Sequence, residues 1–156
     1  GSGHARTELT GTGTFTLGHG DAALVETLKV TQLPSNSHDI IIGQMFPTGS
    51  SPFAMLHFQD DKVYGFVSNQ SQEYILMTGI PLGATFSDSI KAVGAKVYFS
   101  VTYGGRTATQ QLRDISSFVG DTMHFQAGDY EQDAPGSPSN DGGRVLFTQI
   151  TASGVS

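Results

Sequence analysis

The chain is predicted to fold as an all-β domain, a sandwich or jelly roll of two antiparallel sheets. Three observations lead there. About ten β-like runs follow one another along 156 residues, separated by short turns. No run sustains a helical period. Gly accounts for 20 residues and charged side chains for only 14%, a composition suited to strands joined by many tight turns. The length fits one domain, residues 1–156.

The elements follow in order. Ala22 to Leu33 alternates, with Leu24, Glu26, Leu28, Val30 and Gln32 on one face and Val25, Thr27, Lys29, Thr31 and Leu33 on the other. Asp39 to Phe46 is a β-branched run that reads as a central strand buried on both sides. Phe53–Gln59 and Lys62–Ser68 flank Asp60-Asp61, a hairpin signal. Glu73–Ile80 is the next strand. Phe86–Val93 and Lys96–Tyr103 flank Gly94-Ala95, and Tyr103-Gly-Gly-Arg106 is a tight turn into Thr107–Leu112. Asp114–Gly120 is expected to be a short helical turn. Thr122–Gln132 and Arg144–Ser153 are the last strands, and the Pro/Gly/Ser/Asp-rich stretch from Asp133 to Gly143 joins them as a loop.

The run His124-Phe-Gln-Ala-Gly-Asp-Tyr-Glu-Gln132 carries the strongest functional signal. Alternation sends Phe125, Ala127 and Asp129 one way and His124, Gln126, Gly128, Tyr130 and Gln132 the other. A face bearing His, Gln, Tyr and Gln suits the floor of a groove that grips a polar polymer. Gln44 poses a related question. It ends the apolar run Ile40-Ile41-Ile42-Gly43, where a buried amide must find partners or face a groove. His4, Arg6 and Glu8 are spaced by two and share a strand face. Arg6 can clamp a carboxylate, or it can simply pair with Glu8.

The 124–132 strand resembles a signature of the alginate lyases of polysaccharide lyase family 7, Tyr-Phe-Lys-Ala-Gly-x-Tyr-x-Gln. The matches are Phe125, Ala127, Gly128, Tyr130 and Gln132, with His124 at the leading Tyr and Gln126 at the Lys. Arg6-Thr7-Glu8-Leu9 resembles the family's Arg-Thr/Ser-Glu-Leu-Arg strand, with Thr10 at the final Arg. Gly43-Gln44-Met45-Phe46 resembles its Gly-Gln-Ile-His strand, with Phe46 where the family has a catalytic His. The three blocks come in the family's order. The glucuronan lyases of family 20 are similar in fold and in using a His, a Gln and a Tyr; His4 is the counterpart of their His. The resemblance implies a β-jelly roll of the concanavalin A-like kind. It also implies that strand material preceding Arg6 in the family is missing from this chain.

Lysis of a uronate polymer is a β-elimination. A base takes the proton on C5 and an acid protonates the O4 leaving group. The neighbouring carboxylate must be neutralised for an enolate to develop. The resemblance therefore implies Tyr130 as base and acid, Gln44 and Arg6 as the carboxylate clamp, and His4 beside them. Glu8, His57, His124, Gln126 and Gln132 are candidates for substrate binding. A free phenol titrates near about 10, so Tyr130 needs a neighbouring cation. Without a His at position 46, one Tyr serves both roles only where the C5 proton and O4 leave from the same side. That geometry holds for β-D-mannuronate and β-D-glucuronate. The alternative reading is a jelly-roll module that binds carbohydrate without cleaving it.

Composition limits the rest. With 8 Lys and Arg against 14 Asp and Glu, the net charge is −6, a poor match for nucleic acid or an anionic membrane. An acidic polysaccharide would need a local basic site, drawn from Arg6, Arg106, Arg113, Arg144 and a few Lys. The chain has no Cys, so no disulfide or thiolate metal site is available. Five scattered His lack metal-ligand spacing, and no metal or cofactor is expected; loop carboxylates such as Asp60, Asp61, Asp133 and Asp141 are available to a structural Ca²⁺, but no ligand pattern requires one. A secreted monomer is expected, with Asn69-Gln-Ser71 as a glycosylation sequon.

Overall fold

The computed structural model describes residues 6–10, 13–131 and 142–156, with backbone placement alone for 6–10 and 129–131. His4, Gln132, Asp133 and Asp141 lie outside the described residues.

Among the described residues twelve strands form two antiparallel sheets: β1 (Arg6–Thr10), β2 (Phe15–Thr16), β3 (Asp21–Gln32), β4 (Asp39–Pro47), β5 (Ala54–Gln59), β6 (Lys62–Val67), β7 (Tyr74–Met77), β8 (Phe86–Val93), β9 (Lys96–Tyr103), β10 (Arg106–Gln111), β11 (Thr122–Glu131) and β12 (Arg144–Ser153). The first sheet runs β1-β11-β4-β5-β6-β7, with β2 also on β11. The second runs β10-β9-β8-β3-β12. This is the jelly-roll sandwich that the sequence predicts. The 3-10 turn falls at Ser116–Phe118, inside the expected helical turn. The Glu73–Ile80 run contributes only a four-residue strand, and β2 is too short to have a period of its own.

Turn chemistry fixes the registers. Asp60-Asp61 closes the β5–β6 hairpin with Gln59 opposite Lys62, and Asp60 takes a positive φ of 57°. Gly104 and Gly105 both have positive φ and close β9–β10 with Tyr103 opposite Arg106. With the turns set, alternation places one apolar face of each sheet inward. From β3, Ala22, Leu24, Leu28 and Val30 enter the core. From β4 come Ile40, Ile42 and Met45, and from β5 Leu56 and Phe58. Phe58 stacks on Phe86 across the sandwich at 5.6 Å between centroids, and Phe15 on Phe125 at 5.1 Å. Gly65 lets the two sheets approach: a Cβ there would lie 2.2 Å from the Phe99 ring.

Two carboxyl groups break the apolar pattern. Glu26 on β3 pairs with Asp88 on β8, and both sit fully inside the sandwich. Glu26 reaches under β4, where a Cβ on Gly43 would meet its Oε1 at 2.7 Å. The alternation of β3 therefore does put Glu26 on the core face beside Leu24 and Leu28. None of the four carboxyl oxygens has a hydrogen-bond partner of good geometry among the described residues. Burial raises the Glu26 carboxyl well above its ordinary range, and the Asp88 charge raises it further. Asp88 is itself pushed up to about 6 by burial. Burial therefore favours the protonated form of each carboxyl.

Candidate active site

The face of the first sheet that points away from the core is built in rows. On β11, Phe125 and Ala127 are buried in the core, which leaves His124 and Gln126 half-buried on the opposite face. Pairing carries this alternation across the sheet. Gln126 lies between Thr10 of β1 and Gln44 of β4, and the row continues through Met55 to Phe66. A second row runs Arg6, Tyr130, Ile41, His57, Tyr64, Ile75. Arg6 thus sits directly opposite Tyr130 in the ladder, and Glu8 sits opposite Gly128.

A stepped irregularity separates the two rows. Between the matched positions, β5 has no extra residue, β4 has Ile42, and β11 has Gly128 and Asp129. Ile42 turns into the core together with Ile40, and Ile41 remains on the outer face. The strand is buried on both sides, as its composition predicts: Gln44 is only 6% exposed although it lies on the outer face.

Phe46 is paired with His124, and their rings lie 4.0 Å apart between centroids. The position where the family carries its His is therefore occupied by a ring packed on another ring. Partial burial lowers the His124 pKa, which keeps its imidazole neutral at pH 7.

The other end of the second row holds a hydrogen-bonded cluster. His57 Nδ1 is 2.9 Å from Asp39 Oδ1, and Tyr64 donates its hydroxyl to Asp39 Oδ2 at 2.6 Å. The Tyr64 hydroxyl is also 3.0 Å from His57 Nδ1, and the two rings stack at 4.4 Å. All three side chains are buried. They line a cavity of about 280 Å³ together with Ile41, Met55, Phe66 and Glu73. His57 Nε2 is buried and has no hydrogen-bond partner among the described residues. Burial, then the hydrogen bond to Asp39 and the nearby carboxylate charges, raise the Tyr64 pKa far above its ordinary value. Tyr64 stays protonated and acts as a donor. The Lys62 ammonium lies 5.6 Å from the centre of the Tyr64 ring and places a cation beside this cluster.

The sequence-predicted residues are thus sorted. Arg6, Glu8, Gln44, His57, His124, Gln126 and Tyr130 all fall on β1, β11, β4 and β5 of the first sheet. Of the four Arg considered for a basic site, Arg106 and Arg144 lie on the second sheet, and Arg113 packs over the Tyr74 ring at 4.5 Å. They do not join Arg6. His19 is exposed, and His38, 52% exposed, pairs with Asp60 in the turn region. Asp39, Lys62 and Glu73 were not singled out by sequence, and Tyr64 was not ranked above the other tyrosines. Among the described residues no group of three or more His, Asp or Glu is placed to hold a metal ion. Among the described residues no helix is long and apolar enough to cross a membrane.

The two-sheet jelly roll is the fold that the sequence resemblance implies, and similarity to known proteins shows the family. The alginate lyase family matches residues 1–154, and the chain belongs to that family. An alginate lyase of Pseudomonas aeruginosa is 32% identical over 95% of this chain and 73% of its own, with a TM-score of 0.76. The alginate lyase of Klebsiella pneumoniae, 22% identical over 85% of this chain, has a TM-score of 0.72; the chain spans 59% of its length. The alginate lyase AlgAT5 of polysaccharide lyase family 7, at 21% identity over 98% of this chain and 71% of its own, has a TM-score of 0.75. The last two share the fold. No curated protein matches the chain.

Proposed function

We propose that this protein cleaves a β-1,4-linked D-uronate polymer, mannuronate-type alginate or glucuronan, by syn β-elimination. Tyr130 takes the C5 proton and returns a proton to O4. Arg6 and Gln44 neutralise the substrate carboxylate, and Gln126 and His124 contact the chain on the same face. His4, Glu8 and Gln132 complete the assignment by family resemblance. The observation that carries the reading is the pairing of Arg6 with Tyr130 on adjoining strands, beside the row that holds Gln44. A Tyr base requires a cation that favours its phenolate, and in this reading Arg6, the cross-strand partner of Tyr130, supplies it. Tyr64, held protonated, is unsuited to that role.

The Phe46–His124 stack supports the restriction to one proton-transfer group. With no His at position 46, base and acid act from one side of the sugar. That selects β-D-uronates over α-L-guluronate. The same stack favours a second reading, a module that binds alginate without cleaving it. Release of the unsaturated uronate product decides between them. Wild-type protein is expected to generate it from polymannuronate or glucuronan, and Tyr130→Phe to lose about 10²- to 10⁴-fold of that rate. Product from both proteins at equal rates removes Tyr130 from the mechanism, and product from neither leaves the binding module. An extracellular enzyme acting as a monomer is the setting that this substrate suggests.

A further inference from the structure

We propose that the cavity at His57 is a sugar subsite in which Nε2 accepts a hydrogen bond from a hydroxyl of the uronate unit next to the one being cleaved. The proposal rests on the lyase reading for its ligand, and on local geometry for its chemistry.

The tautomer follows from Asp39. A carboxylate only accepts, so the proton on the imidazole sits at Nδ1, 2.9 Å from Asp39 Oδ1. Tyr64 donates to the second carboxylate oxygen at 2.6 Å and fixes the acid in turn. Nε2 therefore carries a lone pair. It is buried and has no partner among the described residues, and a buried acceptor left unpaired is costly. Among the described residues the cluster thus leaves one acceptor unpaired beside the cavity.

The surroundings specify that donor. Asp39 and Glu73 on the cavity wall disfavour a sugar carboxylate there, whereas a hydroxyl is neutral and donates. Ile41 and Phe66 supply apolar surface for the C–H face of a pyranose ring. Placement fits as well. His57 is opposite Ile41, which is opposite Tyr130, so the subsite lies two strands, about 10 Å, from the Tyr130 position. That separation puts the reader of the hydroxyl on a neighbouring unit, away from the reacting carbons.

The test uses a saturated mannuronate trimer and calorimetry in a Tyr130→Phe background, where turnover is silenced. His57→Phe keeps the ring stack on Tyr64 but removes the acceptor, and is expected to weaken trimer binding about tenfold. His57→Gln sets an amide oxygen near the Nε2 position and is expected to restore affinity to within about threefold. Thermal melts of both variants confirm that they fold, and a structural role alone gives no reason for Gln to rescue binding. Equal trimer affinity with and without the His57 acceptor overturns the subsite and leaves the lyase reading standing. Acceptor-dependent binding in a protein whose wild type releases no unsaturated product upholds the subsite and removes the catalysis. Failure of the trimer to bind the Tyr130→Phe protein at all overturns both.

Discussion

Phe46 and His124 face each other across the β4–β11 ladder with ring centroids 4.0 Å apart, and together they fill the place where the family carries a His and a Tyr. Restoring the His tests what the replacement did. Phe46→His is expected to raise activity on polyguluronate above the wild-type level, because it restores the His that the family resemblance implies as a second base. Initial rates on polyguluronate and polymannuronate blocks measure this. No gain on polyguluronate would mean that the substrate restriction has another origin.

Gln44 is 6% exposed on the outer face of β4, next to Gln126. If its amide neutralises the substrate carboxylate, Gln44→Leu lowers kcat on polymannuronate by about 10²- to 10³-fold, the usual cost of removing a preorganised donor. The fold is expected to tolerate the change, since Leu keeps most of the volume. A kcat within a few-fold of wild type would dissociate Gln44 from the chemistry.

The Glu26–Asp88 pair makes stability depend on pH in an unusual direction. Both folded-state pKa values lie above those of the unfolded chain, so the folded protein holds its protons more tightly. The associated stability is fully present below about pH 4. It falls as pH rises through about 6 for Asp88, and continues falling above that for Glu26. The Asp88 shift alone corresponds to on the order of 3 kcal/mol. Chemical denaturation at pH 5 and pH 8 is expected to show greater stability at pH 5, with a smaller difference in Glu26→Gln. An identical pH dependence in the variant would show that the slope arises elsewhere.

Gly65 stands where a Cβ would lie 2.2 Å from the Phe99 ring, and Phe99 is fully buried against the Tyr74 edge. Gly65→Ala forces that ring to move within a packed core and is expected to cost about 2 kcal/mol, a fall in Tm of roughly 5 °C. A melt within about 1 °C of wild type would mean that the sheets separate there without cost.

Much of this architecture is legible in the sequence, for identifiable reasons. A two-residue turn fixes every pair in its hairpin, so Asp60-Asp61 already sets His57 opposite Tyr64, and Gly94-Ala95 sets Ile90 opposite Phe99. Strands β8, β9 and β12 match their expected bounds because turn residues flank them. The functional face follows from alternation along β11. What the sequence hides is long-range. Which strand lies beside β11 decides whether Arg6, or any of Arg106, Arg113 and Arg144, reaches Tyr130, and no local pattern encodes that choice. Asp39 reads as the polar start of an apolar strand. Its bond to His57 depends on the pairing of β4 with β5, which has no turn signature.

The stepped spacing at Ile42 also limits how this protein can change in length. Across three neighbouring strands the matched positions enclose none, one and two residues, so the rows on either side are locked to each other by count. Deleting Ile42 would make the β4–β5 pairing regular, with Asp39 and Ile41 still facing outward, but it would leave Gly128 and Asp129 of β11 with no residue of β4 against them. Substitutions on this face can be sampled one at a time. An insertion or deletion in the middle of the sheet instead requires a matching change in a strand far away in the chain, which makes the spacing a barrier between lineages rather than a site of gradual drift.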